Sequence, residues 1–339
     1  MKRTALFFDG KGGIEIRKEE IPDLKPGEVL VKNESSAISA GTEMLFYHGQ
    51  VPAGIELDLT IGALSGKVEF PTKYGYAAIG VVESVGDGVS RGLIGRRIFA
   101  FEPHQSHSIF HASETISIPQ GIDPDDAIFL ASVETGISLV MDGSPLIGER
   151  VVVIGQGVIG LMTTGLLSHM PLSSLVTIEG IEIRRKFSKD MGSKLCFSTE
   201  DAPKDVLKAS GMKDGADLVY EVSGNPKAMD TALSMVGFDG RIVLGSWYGS
   251  KKAELDLGSK FHRNRNRILS SQVSRLDPRF SGRWTKSRRL DFSWEMMREL
   301  RPSRLITHRF PIEEAEKAYE LLDKHPEKAC QVLLTYGEG

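Results

Sequence analysis

The chain has 339 residues, room for two domains, and its 40% hydrophobic and 26% charged content is that of an ordinary soluble globular protein. Its 42 Lys and Arg nearly balance 45 Asp and Glu, for a formal net charge of −3, which points away from nucleic acid and from a membrane surface as partners. Two cysteines, Cys196 and Cys330, exclude a disulfide framework and a cysteine-rich zinc site and fit a reducing compartment. The apolar run at 5–8 stops at Asp9, too short for a signal-peptide core, so a cytoplasmic location is expected.

Up to about residue 130, short strand-like runs such as 28–32, 79–85 and 97–101 are separated by turns at Pro26-Gly27, Gly86-Asp87-Gly88 and Gly92. From about residue 128 the pattern changes to strand alternating with helix. Strands are predicted at 151–154, 175–178, 216–222, 241–244 and 268–273, and helices up to about 170, at 183–191 and at 226–235. Such alternation builds a parallel, doubly wound sheet. The tail from about residue 276 is basic, then helical at 312–322, and closes with a strand at 331–335 that is expected to return to the N-terminal domain.

The organising stretch begins with Val151-Val152-Val153-Ile154, a buried parallel strand by its β-branched run. Gly155-Gln156-Gly157-Val158-Ile159-Gly160 follows with G-x-G-x-x-G spacing, and Glu179 closes the next strand 19 residues after Gly160. Gly155 permits the tight turn, Gly157 lets a pyrophosphate approach the backbone, and Gly160 lets the helix pack on the sheet; the helix N-terminus faces the phosphates. A carboxylate at Glu179 accepts from a ribose 2′-OH and repels a 2′-phosphate, so NAD(H) is preferred. Arg184 and Arg185 follow closely and leave NADP(H) open. No Asp, Glu, Lys or Arg occurs from Val151 to Ile178, but Gly155, Gly157, Gly160 and Pro171 divide that run into pieces shorter than the ~20 apolar residues of a membrane span. Ligands bind doubly wound sheets at the carboxyl ends of the strands, which assigns Ser223, Ser246 and Trp247 to the cofactor face.

Ala40-Gly41-Thr42-Glu43, Gly75-Tyr76-Ala77 before Gly80-Val81-Val82, the glycine motif and the tail Ile306-Thr307-His308-Arg309-Phe310-Pro311 with Glu314-Ala315 together resemble the medium-chain dehydrogenase/reductase (alcohol dehydrogenase-like) superfamily along nearly the whole chain. The resemblance implies an α/β chain: a GroES-like β-rich catalytic domain at 1–130, a Rossmann domain at 131–275 and a tail, 276–339, returning to the catalytic domain. It also implies pairing through an edge strand, 268–273 or 241–244, into a homodimer or homotetramer. Zinc members have Cys-Gly-Thr-Asp where this chain has Ala40-Gly41-Thr42-Glu43, Gly-His-Glu where it has Gly75-Tyr76-Ala77, and a last ligand where it has Ala131. Their four-cysteine lobe is missing from 101–110 as well. No metal is therefore expected. His48, His104, His107 and Glu134 could build only an unorthodox site. The segments 38–43 and 74–76 are similar to zinc-less members near the bacteriochlorophyllide dehydrogenase branch, whose substrate is not carried over.

Without zinc, hydrogen-bond donors must polarise a substrate oxygen. Thr42 aligns with a proton-relaying hydroxyl of the relatives, Tyr76 stands at a ligand histidine's position, and Thr135 matches a hydroxyl beside the nicotinamide. Thr42 and Tyr76 are the catalytic candidates; Glu43, His104 and Tyr248 are assigned to the substrate. Residues 260–309 hold 14 Lys or Arg and four acids. Arginine's planar fork suits an anionic or polyhydroxylated substrate, so Arg279 and Arg283 join the substrate set. The expected function is an NAD(H)-dependent, zinc-independent alcohol dehydrogenase or ketone reductase acting on a small polar or anionic alcohol or carbonyl. An enone reductase and a non-catalytic nucleotide-binding protein are the alternatives.

Overall fold

The computed structural model describes residues 1–337. It divides into two compact units, Met1–Ala131 with Arg301–Gly339, and Ser132–Leu300. No helix among the described residues is long and apolar enough to cross a membrane.

In the second unit six parallel strands form one sheet. Their order in space is Leu195–Phe197, Ser174–Ile178, Arg150–Ile154, Ala216–Glu221, Val236–Leu244 and Arg267–Ser270, the 3-2-1-4-5-6 order of a Rossmann sheet. The β-branched run explains its own centrality. Val152 and Ile154 pack into a core on one face, Val151 and Val153 into a core on the other, and all four are essentially without exposed surface. A strand covered on both faces has no place for a polar residue. The last strand is shorter than the expected 268–273, although Ser271 N–H still donates to the Leu244 carbonyl at 3.0 Å.

The first unit is built on an antiparallel sheet in which Glu28–Ala37 pairs with Ala78–Val85, His107–His111 and the C-terminal strand Gln331–Thr335. The last pairing sets Leu334 opposite Ser36 and carries the end of the chain back to the N-terminal sheet. A Lys2–Phe8/Ile14–Glu20 hairpin adds to this unit. One of its cores gathers Phe8, Phe46, Tyr74, Tyr319 and Val332.

One boundary needs correction. The segment 276–300 belongs with the second unit, and only Arg301–Gly339 returns to the first. The reason is the helix Lys286–Leu300, which buries Trp294, Met297 and Leu300. Leu300 lies so close to the helix Val158–Ser168 that a Cβ on Gly165 would meet its Cδ2 at 2.5 Å. The charge of Arg289, on the same helix, is satisfied inside this unit: its guanidinium donates to Glu134 Oε1 at 2.8 and 3.1 Å and to Ser138 Oγ at 2.6 Å.

Candidate functional site

In the second unit, the glycine turn leaves the strand Arg150–Ile154 and enters the helix Val158–Ser168. Gly155 has φ +93°, and a Cβ there would lie 2.5 Å from the Ser223 Cα. Both facts demand glycine. A Cβ on Gly160 would lie 2.0 Å from the Gly155 carbonyl oxygen, so helix and turn could not close on each other with any other residue. Gly157 differs: nothing lies within 4 Å of its Cβ position. It stands at the N-cap and brings no side chain to the first-turn N–H groups. The result is an open, electropositive step of bare backbone, the kind of surface that receives a phosphate. Val158 and Ile159 are half-buried beside it.

Glu179 is nearly buried. Its Oε2 accepts from the Gln156 N–H at 2.6 Å and its Oε1 from the Ile181 N–H at 2.9 Å. The carboxylate thus ties the end of its own strand to the glycine turn, and each oxygen keeps a lone pair for a hydroxyl. Arg185 donates to the carbonyls of Glu179 and Gly180 at 2.8 and 2.6 Å, so its fork is used on backbone. Arg184 is half-buried on the same helix, Glu182–Asp190. The Gln156 side chain points inward, from its Nε2 to the Gly155 carbonyl and from Thr164 Oγ1 to its Oε1. Only its backbone is near the nucleotide surface.

The other strand ends meet at a carboxylate that sequence reasoning missed. Glu221, fully buried, ends the strand Ala216–Glu221. Its Oε1 accepts from the Ser223 N–H at 2.8 Å and from the Ser223 hydroxyl, and its Oε2 from the Tyr248 hydroxyl at 2.6 Å. Burial first, then this bond to a carboxylate, raises the Tyr248 phenol far above its usual range. Ser246 Oγ accepts from the Gly224 N–H at 2.8 Å. Ser223, Ser246 and Tyr248 therefore form one polar rim beside Gly155. The Tyr248 hydroxyl, assigned to the substrate from sequence, is thus engaged by Glu221 on the same rim as Ser223. The available signal was Glu221 itself, an acid closing a strand before Ser223-Gly224 as Glu179 does before Gly180. Trp247 is 38% exposed next to this rim, and Thr135 is half-buried on the helix Leu130–Gly143.

The basic segment does not present a set of unengaged forks. Arg279 donates to Asp277 Oδ2 at 3.0 Å and to the Asp142 carbonyl at 2.8 Å. Arg288 lies 4.3 Å over the Trp284 ring and donates to the Arg283 carbonyl. Arg279 and Arg283 are both exposed, on a turn and loop that their neighbours hold in place. Their assignment to the substrate finds no converging partner in this unit.

In the first unit, the helix Ala40–Tyr47 starts after Ser39. The Ser39 hydroxyl does not cap that helix; it is hydrogen-bonded to the Tyr76 hydroxyl. Thr42, one turn on, is also within hydrogen-bonding influence of that phenol. Ser39, Thr42 and Tyr76 thus form a hydroxyl cluster. Burial, more than any other cause, raises the Tyr76 pKa; the charge of Glu43 adds to this and the two hydroxyls oppose it. Ser39 was not singled out from sequence, although a serine just before a helix with an acid four residues on was a readable start signal.

Glu43 and His104 are a correction. Both have 0% exposed surface, and His104 Nε2 lies 2.9 Å from Glu43 Oε2. Neither is accessible to a substrate. They pair because a short helix and a loop each bring one polar group into an otherwise apolar interior, where neither could stay alone.

The donor set does not fit zinc. Ala40, Ala77 and Ala131 carry no ligand atom, and Tyr76 alone offers one, a phenol oxygen already hydrogen-bonded to Ser39. Of the unorthodox candidates, His104 uses both ring nitrogens within the core, His48 is bonded to Asp323 at 2.9 Å, and Glu134 is held by Arg289. His107 lies 4.0 Å from Glu83. Among the described residues no three His, Cys, Asp or Glu gather as a metal would need.

Comparison with known proteins gives the following. Residues 158–287 match the family described as zinc-binding dehydrogenase. The chain is 25% identical over 358 residues to L-threonine 3-dehydrogenase of Bacillus subtilis (strain 168), covering 94% of this chain and 95% of that one. It is similar to the structure of a short chain alcohol dehydrogenase (rspB) from E. coli CFT073 complexed with NADH, with TM-score 0.78, 20% identity and 99% of both chains covered. It is also similar to the structure of a putative zinc-binding dehydrogenase from Sinorhizobium meliloti 1021 bound to NADP, with TM-score 0.76, 19% identity and 99% of both chains covered.

Proposed function

We propose that the chain is an oxidoreductase of the alcohol dehydrogenase-like part of the medium-chain dehydrogenase/reductase superfamily, that it is NAD(H)-dependent, works without zinc and acts on small polar alcohols and carbonyls. The observation that carries this reading is the hydroxyl cluster of Ser39, Thr42 and Tyr76, with Tyr76 at a position where the family resemblance implies a zinc ligand. Threonine, in the name of a relative, supports a small polar alcohol as the substrate class.

Bound nicotinamide supplies or accepts the hydride; the rest falls to the chain. The Gly157 step and the helix N-terminus receive the pyrophosphate, and Glu179 orders the turn while accepting from a ribose hydroxyl. Ser223, Ser246 and Tyr248 wall this surface through Glu221. Tyr76 donates a hydrogen bond to the substrate oxygen, with Ser39 and Thr42 as relay. Its raised pKa keeps the phenol protonated at neutral pH, the state that can donate. That state suits the reduction of a carbonyl.

Calorimetric titration with NADH and NADPH tests the cofactor half. NADH is expected to bind more tightly, and Glu179→Ala to weaken NADH and narrow the difference. Tighter NADPH binding in the wild type would mean that Arg184 governs the site. A panel of carbonyls and enones with NADH tests the rest: turnover of carbonyls supports the reading, whereas turnover of enones alone, or of nothing, overturns it.

A further inference from the structure

We propose that Glu43 and His104 are a buried positioning pair that fixes the Tyr76–Ser39 hydroxyl pair in its working geometry, in place of the metal that orders this region in zinc relatives. The inference rests on the proposed role of Tyr76 and adds two residues that never meet the substrate.

The geometry reaches Tyr76 from both sides. On one side Glu43 Oε1 accepts from the Ser39 N–H at 2.7 Å, and the Ser39 hydroxyl meets the Tyr76 hydroxyl. Glu43 thus holds the backbone of the residue whose side chain touches the phenol. On the other side His104 packs against the residue just before Tyr76. Gly75 has φ +117°, and a Cβ there would lie 2.9 Å from His104 Cδ2 and Nε2. The His104 N–H also donates to the Tyr74 carbonyl at 3.2 Å. A turn of this shape, lying flat on an imidazole, admits only glycine, so residues 74–76 are shaped around the ring.

The pair is itself fully supported. Glu43 Oε2 accepts from His104 Nε2 at 2.9 Å and from the Tyr319 hydroxyl at 2.5 Å. His104 Nδ1 lies 2.6 Å from Ser36 Oγ, which lies 2.6 Å from the Tyr336 hydroxyl. With the proton on Nε2, every donor in the chain has an acceptor: Tyr336 to Ser36, Ser36 to His104, His104 and Tyr319 to Glu43. That tautomer is assigned from the network. A satisfied network inside an apolar core is rigid, and it makes one arrangement unique. The anchors Tyr319 and Tyr336 come from the returning segment, Arg301–Gly339, so the C-terminal strand bears on the geometry around Tyr76. Tyr74, with its ring centroid 6.1 Å from that of Tyr76, and Asp58 are the other titratable groups that face this phenol.

The test is an NMR measurement on full-length protein labelled with 13Cζ-tyrosine, with the Tyr76 signal assigned through Tyr76→Phe. In Glu43→Gln one acceptor oxygen becomes an NH2, so either the Ser39 N–H or the Tyr319 and His104 donors lose their acceptor. The Tyr76 signal should move and its titration should fall to lower pH, because a negative charge has left. His104→Gln should also move the signal. Both variants should keep wild-type NADH affinity, and the kcat for the best carbonyl of the panel should fall by about 10²-fold, the order expected when a reacting group is misplaced by an ångström. Ser39→Ala leaves the buried pair intact and serves where the other variants fail to fold. It should move the same signal, and adding Glu43→Gln to it should cost little further kcat. Folded Glu43→Gln and His104→Gln proteins with an unmoved Tyr76 signal and titration would overturn the inference, as would kcat losses in Ser39→Ala and Glu43→Gln that simply multiply. If no carbonyl is turned over, the proposed activity fails while the NMR result still decides the positioning role.

Discussion

Glu102 shows how far one side chain can depart from its ordinary chemistry in this fold. It is buried, with Gln105 Nε2 donating to its Oε2 at 3.0 Å. Burial nevertheless pushes its carboxyl up to about 7. The folded state then holds a proton that the unfolded chain has already released, so stability falls as pH rises from 4.5 to about 7. Glu102→Gln keeps the shape and removes the ionisation. Urea unfolding of the two proteins across pH should show them alike in acid and the variant more stable above neutrality, by roughly 3 kcal/mol at most. Parallel curves across that window would mean that Glu102 titrates as an ordinary surface acid. At this same scale the glycines were legible from sequence, because each answers a local demand: a positive φ at Gly155, a contact at Gly160, an open approach at Gly157. Glu43 and His104 were not. Their partners are 61 residues apart, and no local pattern distinguishes a buried acid from one that faces a ligand.

Among the elements, the helix Lys286–Leu300 departs most from its sequence reading. Its run of charges reads as a solvated or substrate-facing surface, yet Arg289 is one of the largest fully buried side chains. Its partner Glu134 is 155 residues away, on the helix Leu130–Gly143, and the Val273 carbonyl completes the clamp. The sequence showed only a basic stretch here and not the helix itself, and nothing local says which arginine turns inward. Arg289→Met should leave Glu134 buried without a partner and cost roughly 3–5 kcal/mol, while Arg289→Met with Glu134→Leu should recover most of that loss. Urea midpoints measure both. A single variant as stable as wild type would mean that other contacts hold this helix. The strands were easier to read: Gln331–Thr335 has the bounds that its apolar run gives, and Arg150–Ile154 follows from a run of residues suited only to a sheet covered on both faces.

For the whole molecule, the sequence carried the fold because two signals span the chain. Strand-helix alternation implies a parallel sheet, of which five strands were expected and the short edge strand Leu195–Phe197 was missed, and the final strand implies the return to the first unit. The allocation of 276–300 was not legible, since it depends on which unit receives Trp294, Met297 and Leu300. The chemistry divides in the same way. The glycine turn can be read from spacing, but the proposed replacement of a metal by hydroxyls and a buried pair rests on contacts that appear only when Ser39, Tyr76, Glu43 and His104 are placed together. Zinc independence is the central claim. Its most direct test is the rate of carbonyl reduction by NADH before and after exhaustive chelation, with elemental analysis of the same samples. The account predicts well under one zinc per chain and an unchanged rate. A stoichiometric zinc, removed together with activity and restoring it on return, would contradict it.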